Sequence, residues 1–153
     1  MRPSFHNILM NMALLVAKRS TCVRLQVGAV ISSADFRQIL AMGYNGNASG
    51  LPNACDKTGA DAVGSCGCVH SEANAIINCN APRFQEKILF ATDSPCPVCA
   101  KYILNLGGVT EVYYFREYRI TDSLKMLKSQ GVKLFNYQPP APGQEDVFVP
   151  FCA

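Results

Sequence analysis

From residue 70 to residue 137 the chain switches repeatedly between helix-like and strand-like hydrophobic patterns, and that alternation most restricts the fold it can take. "HSEANAIINC" (70–79) has the composition of a helix and "KILFAT" (87–92) that of a buried strand. Pro97 suits the first turn of a helix running to about Leu106, where the missing N–H costs no hydrogen bond. "EVYYF" (111–115) reads as a strand, 121–130 as a helix and "VKLFNY" (132–137) as a last strand. Strands separated by helices favour parallel pairing in one sheet, with each helix as a crossover.

Upstream, Phe5, Ile8, Leu9, Met12, Leu15 and Val16 recur at helical spacing, so the chain opens on an amphipathic helix. "RLQVGAVIS" (24–32) and "QILAMGYNG" (38–46) then form a hairpin across a short polar turn. The order α-β-β-α-β-α-β-α-β gives five strands in a single α/β domain over residues 1–153. Between 46 and 69 no period survives, and Gly50, Pro52, Gly59, Gly64 and Gly67 mark a long loop, which compact domains rarely keep without a use. The tail, 138–153, is proline-rich but ends "VFVPFCA", too apolar for a solvated tail, and is expected to pack on its own or a neighbouring subunit.

No stretch approaches the roughly 20 apolar residues that cross a bilayer, and the first 20 residues lack a signal-peptide layout. A cytoplasmic protein without a membrane is expected. In that compartment the eight cysteines read as metal ligands or buried apolar groups, with disulfides the minority reading. A net charge of +3 with no Lys/Arg block argues against nucleic acid as a partner. Charged residues make up 16% of the chain, below the usual ~25%, which points to surface hidden in an oligomer.

The chemistry concentrates at two helix starts. In "SPCPVCA" (94–100), Cys96 and Cys99 lie in or beside a first turn, where unpaired N–H groups and the positive end of the dipole favour thiolates. Two anionic sulfurs make half a zinc site. In "VHSEANAI", His70 is a natural third ligand, and three protein ligands leave a position for water, as catalytic rather than structural zinc requires. Glu72 is then better used as a proton shuttle than as a ligand. Taken singly, each motif has a bland alternative: a structural knuckle, a helix cap, a dipole complement. Jointly, His-x-Glu followed by Pro-Cys-x-x-Cys is the signature of zinc nucleobase deaminases.

"CVHSEANAI", "TDSPCPVCA", "GYNG" and "TCVRLQVGAVI" together resemble deoxycytidylate (dCMP) deaminases of the cytidine deaminase superfamily, particularly bacterial and phage members. The resemblance runs from the first helix to about Tyr137, with Ser71 where alanine is usual. It implies a three-layer fold, a central five-stranded mixed sheet flanked by helices, and zinc-dependent conversion of dCMP to dUMP and ammonia, supplying dUMP for thymidylate synthesis. It also implies that Asn45 bonds the deoxyribose 3′-hydroxyl, that Arg24 meets the 5′-phosphate, that Ser94 lines the base pocket and that Tyr118 closes over the nucleotide. Family members are homohexamers activated by dCTP with magnesium and inhibited by dTTP. The resemblance places Gly43, Tyr44 and Gly46 in the effector region, where glycines would let backbone N–H groups approach phosphates. It suggests, finally, a second, structural zinc on Cys22, Cys55, Cys66 and Cys68, although the one-residue gap between the last two departs from usual spacing. Two alternatives stand beside this: a deaminase of another nucleoside, base or RNA, and a zinc-stabilised binding module without catalysis.

Overall fold

The computed structural model describes residues 2–55, 66–118 and 120–152. Its elements, in chain order, are helix α1 (Phe5–Ala17), strands β1 (Gly28–Ser33) and β2 (Ile39–Tyr44), helix α2 (Ser71–Ile77), strand β3 (Lys87–Asp93), helix α3 (Pro97–Leu106), strand β4 (Val109–Arg116), helix α4 (Asp122–Ser129) and strands β5 (Lys133–Gln138) and β6 (Val147–Pro150). Ser4 starts α1 by accepting the N–H of Asn7 (3.0 Å), and Pro97 opens α3 as its spacing predicts.

The strands form one mixed sheet in the order β2-β1-β3-β4-β5-β6. β3, β4 and β5 are parallel, joined by the crossovers α3 and α4, while β1 runs antiparallel to both β2 and β3. The sheet has six strands where the sequence suggested five. Residues 147–150 pair antiparallel with 135–138 of β5, so the apolar tail is spent on its own chain, closing an otherwise open edge.

The alternation of β-strand side chains sorts the core into two layers. Val30, Ile88, Phe90 and Tyr113 face α1 and pack with Leu9, Met10 and Ala13. Ala29, Ile31, Leu89, Ala91, Val112 and Tyr114 point the other way, into the layer that also holds Ala75, Ile103, Leu124 and Leu127 of α2, α3 and α4. The result is a three-layer arrangement of helix, sheet and helices. Among the described residues no helix is long and apolar enough to cross a membrane.

Two glycines set how close the helices come. A Cβ on Gly28 would lie 2.2 Å from the Ala13 carbonyl oxygen of α1, and one on Gly43 would lie 2.4 Å from the Ala75 nitrogen and 2.5 Å from the Ser71 oxygen of α2. Backbone cannot yield there as a flexible side chain could. Gly43→Ala is therefore expected to cost about 1–3 kcal/mol or more, the usual penalty for overpacking, measurable as a lower denaturation midpoint. Unchanged stability would mean that α2 does not sit against β2 as described.

Strand β1 begins at Gly28, four residues later than expected from "RLQVGAVIS". The side chain of Asn45 explains the difference. Its Oδ1 accepts the Val27 N–H (2.8 Å) and its Nδ2 donates to the Leu25 carbonyl (2.7 Å), so a side chain takes the place of the ladder and residues 24–27 leave the sheet. Of the long loop, residues 56–65, with the expected Gly59 and Gly64, lie outside the described residues. Its ends meet in an isolated bridge, Gly46 with Val69.

Candidate functional site

The starts of α2 and α3 converge beyond the C-terminal end of β3, the position at which open α/β sheets present their ligands. His70 is the N-cap residue of α2 and Cys96 that of α3. The Cys96 sulfur accepts the N–H of Cys99 (3.4 Å), so the helix start itself holds a sulfur in place. His70 Nδ1 lies 3.4 Å from the Cys96 sulfur and 3.5 Å from that of Cys99. A tetrahedral zinc with bonds of about 2.3 Å to sulfur and 2.0–2.1 Å to nitrogen puts S and N about 3.5 Å apart, so the three atoms already stand where such an ion needs them. Two thiolates and a neutral imidazole also balance a divalent charge.

Electrostatics single out Cys96 as the readiest of the three ligands. The Cys96 thiol is lowered to about 4, chiefly by the hydrogen bond with Cys99, with His70 and the Cys99 N–H adding to it against the effect of burial. The hydrogen bond with Cys96, and then burial, push Cys99 up, while the bond to Cys96 raises His70. Cys96 is thus the member most inclined to ionise, while ligation by Cys99 and His70 needs a cation to displace the protons they hold. Glu72, in the first turn of α2, is 4% exposed, and burial pushes its carboxyl up. The Ser71 hydroxyl donates to Glu72 Oε2 (3.3 Å).

His70, Ser71, Glu72 and Cys96 line a cavity of about 670 Å³, within the size range of small-molecule sites, and Cys99 is buried next to Cys96 and His70. The four residues expected to meet substrate, Asn45, Arg24, Ser94 and Tyr118, all line the same cavity. Their present partners refine those expectations. Asn45 already clamps residues 25 and 27, which gives it a structural task as well. The Ser94 N–H donates to the Arg116 carbonyl (2.9 Å), and its Oγ accepts the Tyr118 N–H (2.7 Å), so it carries the segment bearing Tyr118. Tyr118 itself is half exposed at the rim.

A second cluster stands beside the first. The sulfurs of Cys22 and Cys66 are 3.7 Å apart, those of Cys22 and Cys55 4.0 Å, and those of Cys55 and Cys68 3.9 Å. Zinc–sulfur bonds of about 2.3 Å in a tetrahedron give edges of about 3.8 Å, so these four also fit a metal ion. The one-residue gap between Cys66 and Cys68 is no obstacle, because Gly67 takes a positive φ of 81° that turns both sulfurs inward. Burial opposes ionisation of Cys22, but hydrogen bonds from the Leu25 and Arg24 backbone and from Cys66 and Cys68 bring it to about 7. Cys22, Cys66 and Cys68 also line the 670 Å³ cavity, so this corner is part of its wall.

The stretch from Gly43 to Gly46 joins the end of β2 to α2 and to the end of the long loop. Gly43 lies under α2, and the Gly46 N–H donates to the Val69 carbonyl (3.1 Å). Both glycines thus have tasks within the chain, packing against α2 at Gly43 and, at Gly46, a bridge to the residue before His70. Tyr44 is half-buried, with the Arg19 guanidinium 5.8 Å from its ring centre, and its carbonyl accepts from Asn74 of α2 (2.8 Å).

Sequence reasoning missed Asp93 and Arg116. They are register partners at the ends of β3 and β4 and form an ion pair of 2.8 Å, with Asp93 in the cavity wall. Residues 23 apart carry no local signal of such a contact.

Comparison with known proteins gives a consistent set of likenesses. Residues 3–116 match the model of the cytidine and deoxycytidylate deaminase zinc-binding region. The chain is 34% identical over 151 residues to a deoxycytidylate deaminase of Schizosaccharomyces pombe, covering 91% of this chain and 46% of that protein. It is 30% identical to the deoxycytidylate deaminase of Mycobacterium phage D29, covering 76% of this chain and 98% of the phage protein. The crystal structure of a dCMP deaminase from cyanophage S-TIM5 in complex with dCMP and dUMP superposes with a TM-score of 0.76 at 36% identity, over 88% of this chain and 97% of that one. The chain spans about half the length of the yeast relatives it matches, 46% and 44%.

Proposed function

The chain belongs to the cytidine and deoxycytidylate deaminase family, and from that premise we propose that it hydrolyses dCMP to dUMP and ammonia. The observation that carries this is the placing of His70, Cys96 and Cys99 within ligand reach of one another, with His70, Cys96 and buried Glu72 in the wall of one cavity of about 670 Å³. His70, Cys96 and Cys99 would hold the catalytic zinc, and Cys22, Cys55, Cys66 and Cys68 a structural one. When bound at the first site, zinc supplies Lewis acidity that makes water a source of hydroxide near pH 7.

The remaining work falls to the chain. Glu72, buried and oriented by Ser71, takes the proton from the attacking water and delivers it to N3 of the cytosine ring, which leaves C4 electron-poor. The C4–O bond forms and the C4–N bond breaks. Glu72 then carries the proton of the new C4 hydroxyl to the amino group, so that C4=O forms as ammonia departs. Ser94 and Tyr118 enclose the base and sugar, Asn45 has lone-pair and N–H capacity beyond its clamp for the 3′-hydroxyl, and Arg24 meets the 5′-phosphate. A homohexamer and control by dCTP with magnesium and by dTTP belong to the same proposal.

Ammonia release from dCMP, deoxycytidine, cytidine and a tRNA hairpin tests it. The expected result is preferential release from dCMP, with a sigmoidal dependence that dCTP and magnesium make hyperbolic. Release from a nucleoside or the hairpin but not from dCMP would overturn the substrate assignment, and release from none of them by the zinc-loaded protein would favour a binding module. Kinetics indifferent to both triphosphates would remove the regulatory part alone.

A further inference from the structure

Asp93 stands in the wall of the catalytic cavity at 8% exposure, where an uncompensated carboxylate opposes the entry of an anion. It closes β3, and its register partner on the parallel neighbour β4 is Arg116, whose Nη2 pairs with Asp93 Oδ2 at 2.8 Å. The Thr92 hydroxyl donates to the same oxygen at 3.0 Å while it accepts the Gly28 N–H at 3.1 Å, which ties the carboxylate to the first residue of β1. A carboxylate this buried requires such partners, yet none of the steps of the deamination calls on it.

The same guanidinium reaches the wall that carries Arg24. Residues 23–26 are exposed and lie outside the sheet, so hydrogen bonds more than packing hold them. Asn45 takes Leu25 and Val27, Gln26 Nε2 donates to the Ser20 carbonyl (2.8 Å), and Arg116 Nη2 donates to the Gln26 carbonyl (3.4 Å). Arg116 thus stands between Asp93 and a segment whose Arg24 lines the same cavity as Asp93. The contact of Arg116 with Ser94 runs through its backbone carbonyl (2.9 Å), so a change of side chain spares it, and with it the segment bearing Tyr118.

Resting on the reading of Arg24 as the partner of the 5′-phosphate, we propose that Arg116 is a positioning residue for nucleotide recognition: it neutralises Asp93 in the cavity wall beside the segment bearing Arg24, so that the site accepts a phosphate dianion. Its part is in binding, since the groups that do the chemistry lie at the starts of α2 and α3. An ion pair of purely structural use would lower stability when broken, and the loss would not depend on whether the carboxylate left behind is charged.

Zinc-loaded wild type, Arg116→Gln, Arg116→Lys and the double variant Asp93→Asn/Arg116→Gln are compared in dCMP kinetics and in dUMP binding by calorimetry. Glutamine keeps a hydrogen-bond donor for Asp93 and removes the charge, and the half-exposed side chain tolerates the change. Arg116→Gln should raise KM for dCMP and weaken dUMP binding by about tenfold, with kcat within about twofold, the pattern of binding lost in ground and transition state alike. Arg116→Lys should recover most of the loss, and so should the double variant, in which no charge is left unpaired. An unchanged KM in Arg116→Gln overturns the proposal, as does a fall confined to kcat. So does a double variant that binds dUMP no better than Arg116→Gln, because the loss then has a source other than the bare carboxylate. The calorimetry separates this role from the deaminase reading. Affinity for dUMP that follows the variants in a protein that deaminates nothing upholds Arg116 and sinks the deaminase, whereas dCMP turnover with equal dUMP affinity in all four forms leaves the deaminase and sinks the role of Arg116. Wild type that neither binds dUMP nor turns over dCMP overturns both.

Discussion

Glu72→Gln is expected to lower turnover of dCMP by at least about 100-fold, since a positioned general acid/base contributes 10² to 10⁴. The substitution keeps the volume of a side chain that is 4% exposed, so packing at the start of α2 is preserved. The amide can still accept the Ser71 hydroxyl that now bonds Oε2, so orientation survives too. Only the capacity to take up and release a proton is removed. The donor atoms near the proposed metal belong to His70, Cys96 and Cys99, so zinc content should equal that of wild type. Loss of rate with retained metal separates a shuttle from a ligand; loss of both would make Glu72 part of the coordination. Near wild-type turnover in the variant would remove Glu72 from the mechanism.

The site was readable in sequence where chemistry depends on local position. His70 and Cys96 are both N-cap residues with extended backbone, and Pro97 after Cys96 announces such a start. The helix-start argument therefore found the residues without needing to know that the two starts meet. The periodic segments likewise gave the helices and the parallel strands to within a few residues. What escaped depends on contacts between distant parts of the chain. Strand β6 is four residues long, Val147–Pro150, with valines that stay exposed, and takes its order from the free edge of β5. No pattern inside such a segment distinguishes it from a loop. The early end of the β1 ladder is due to Asn45, a side chain competing with backbone from 18 residues away. Gly43 looked like a turn or phosphate-binding glycine and proves to be the place where α2 touches the sheet. The Asp93–Arg116 pair needs the parallel register of β3 and β4, which is a property of the fold.

The cysteine corner gives the other large expected effect. Cys55→Ser should reduce zinc from two ions per chain to one, with the centre at His70, Cys96 and Cys99 still loaded. Cys55 is the suitable position because it is the one member of its cluster that does not line the cavity, so its direct contact with substrate is nil. The cluster joins parts of the chain that are far apart in sequence. Cys22 follows α1, Cys66 and Cys68 precede the Gly46–Val69 bridge, and the stretch from 48 to 54 is mostly exposed. A hydroxyl in place of a thiolate leaves three sulfurs, and structural zinc contributes folding free energy of about 10–16 kcal/mol in small domains. Even a fraction of that, about 3 kcal/mol, moves a domain of this size by about 6–12 °C in Tm, since each kcal/mol is worth roughly 2–4 °C. The same loss should reach the active site by a defined route. Val69 N–H donates to the Gly46 carbonyl (2.8 Å) immediately before His70, and Arg24 and Leu25 follow Cys22 into the cavity wall. Loosening both sides weakens substrate binding more than chemistry, so KM should rise with a smaller change in kcat. Metal analysis, a melting curve and steady-state kinetics on one preparation decide the matter. One zinc per chain in fully active wild-type protein, or a Cys55→Ser variant that keeps two ions and its melting temperature, would refute the structural site.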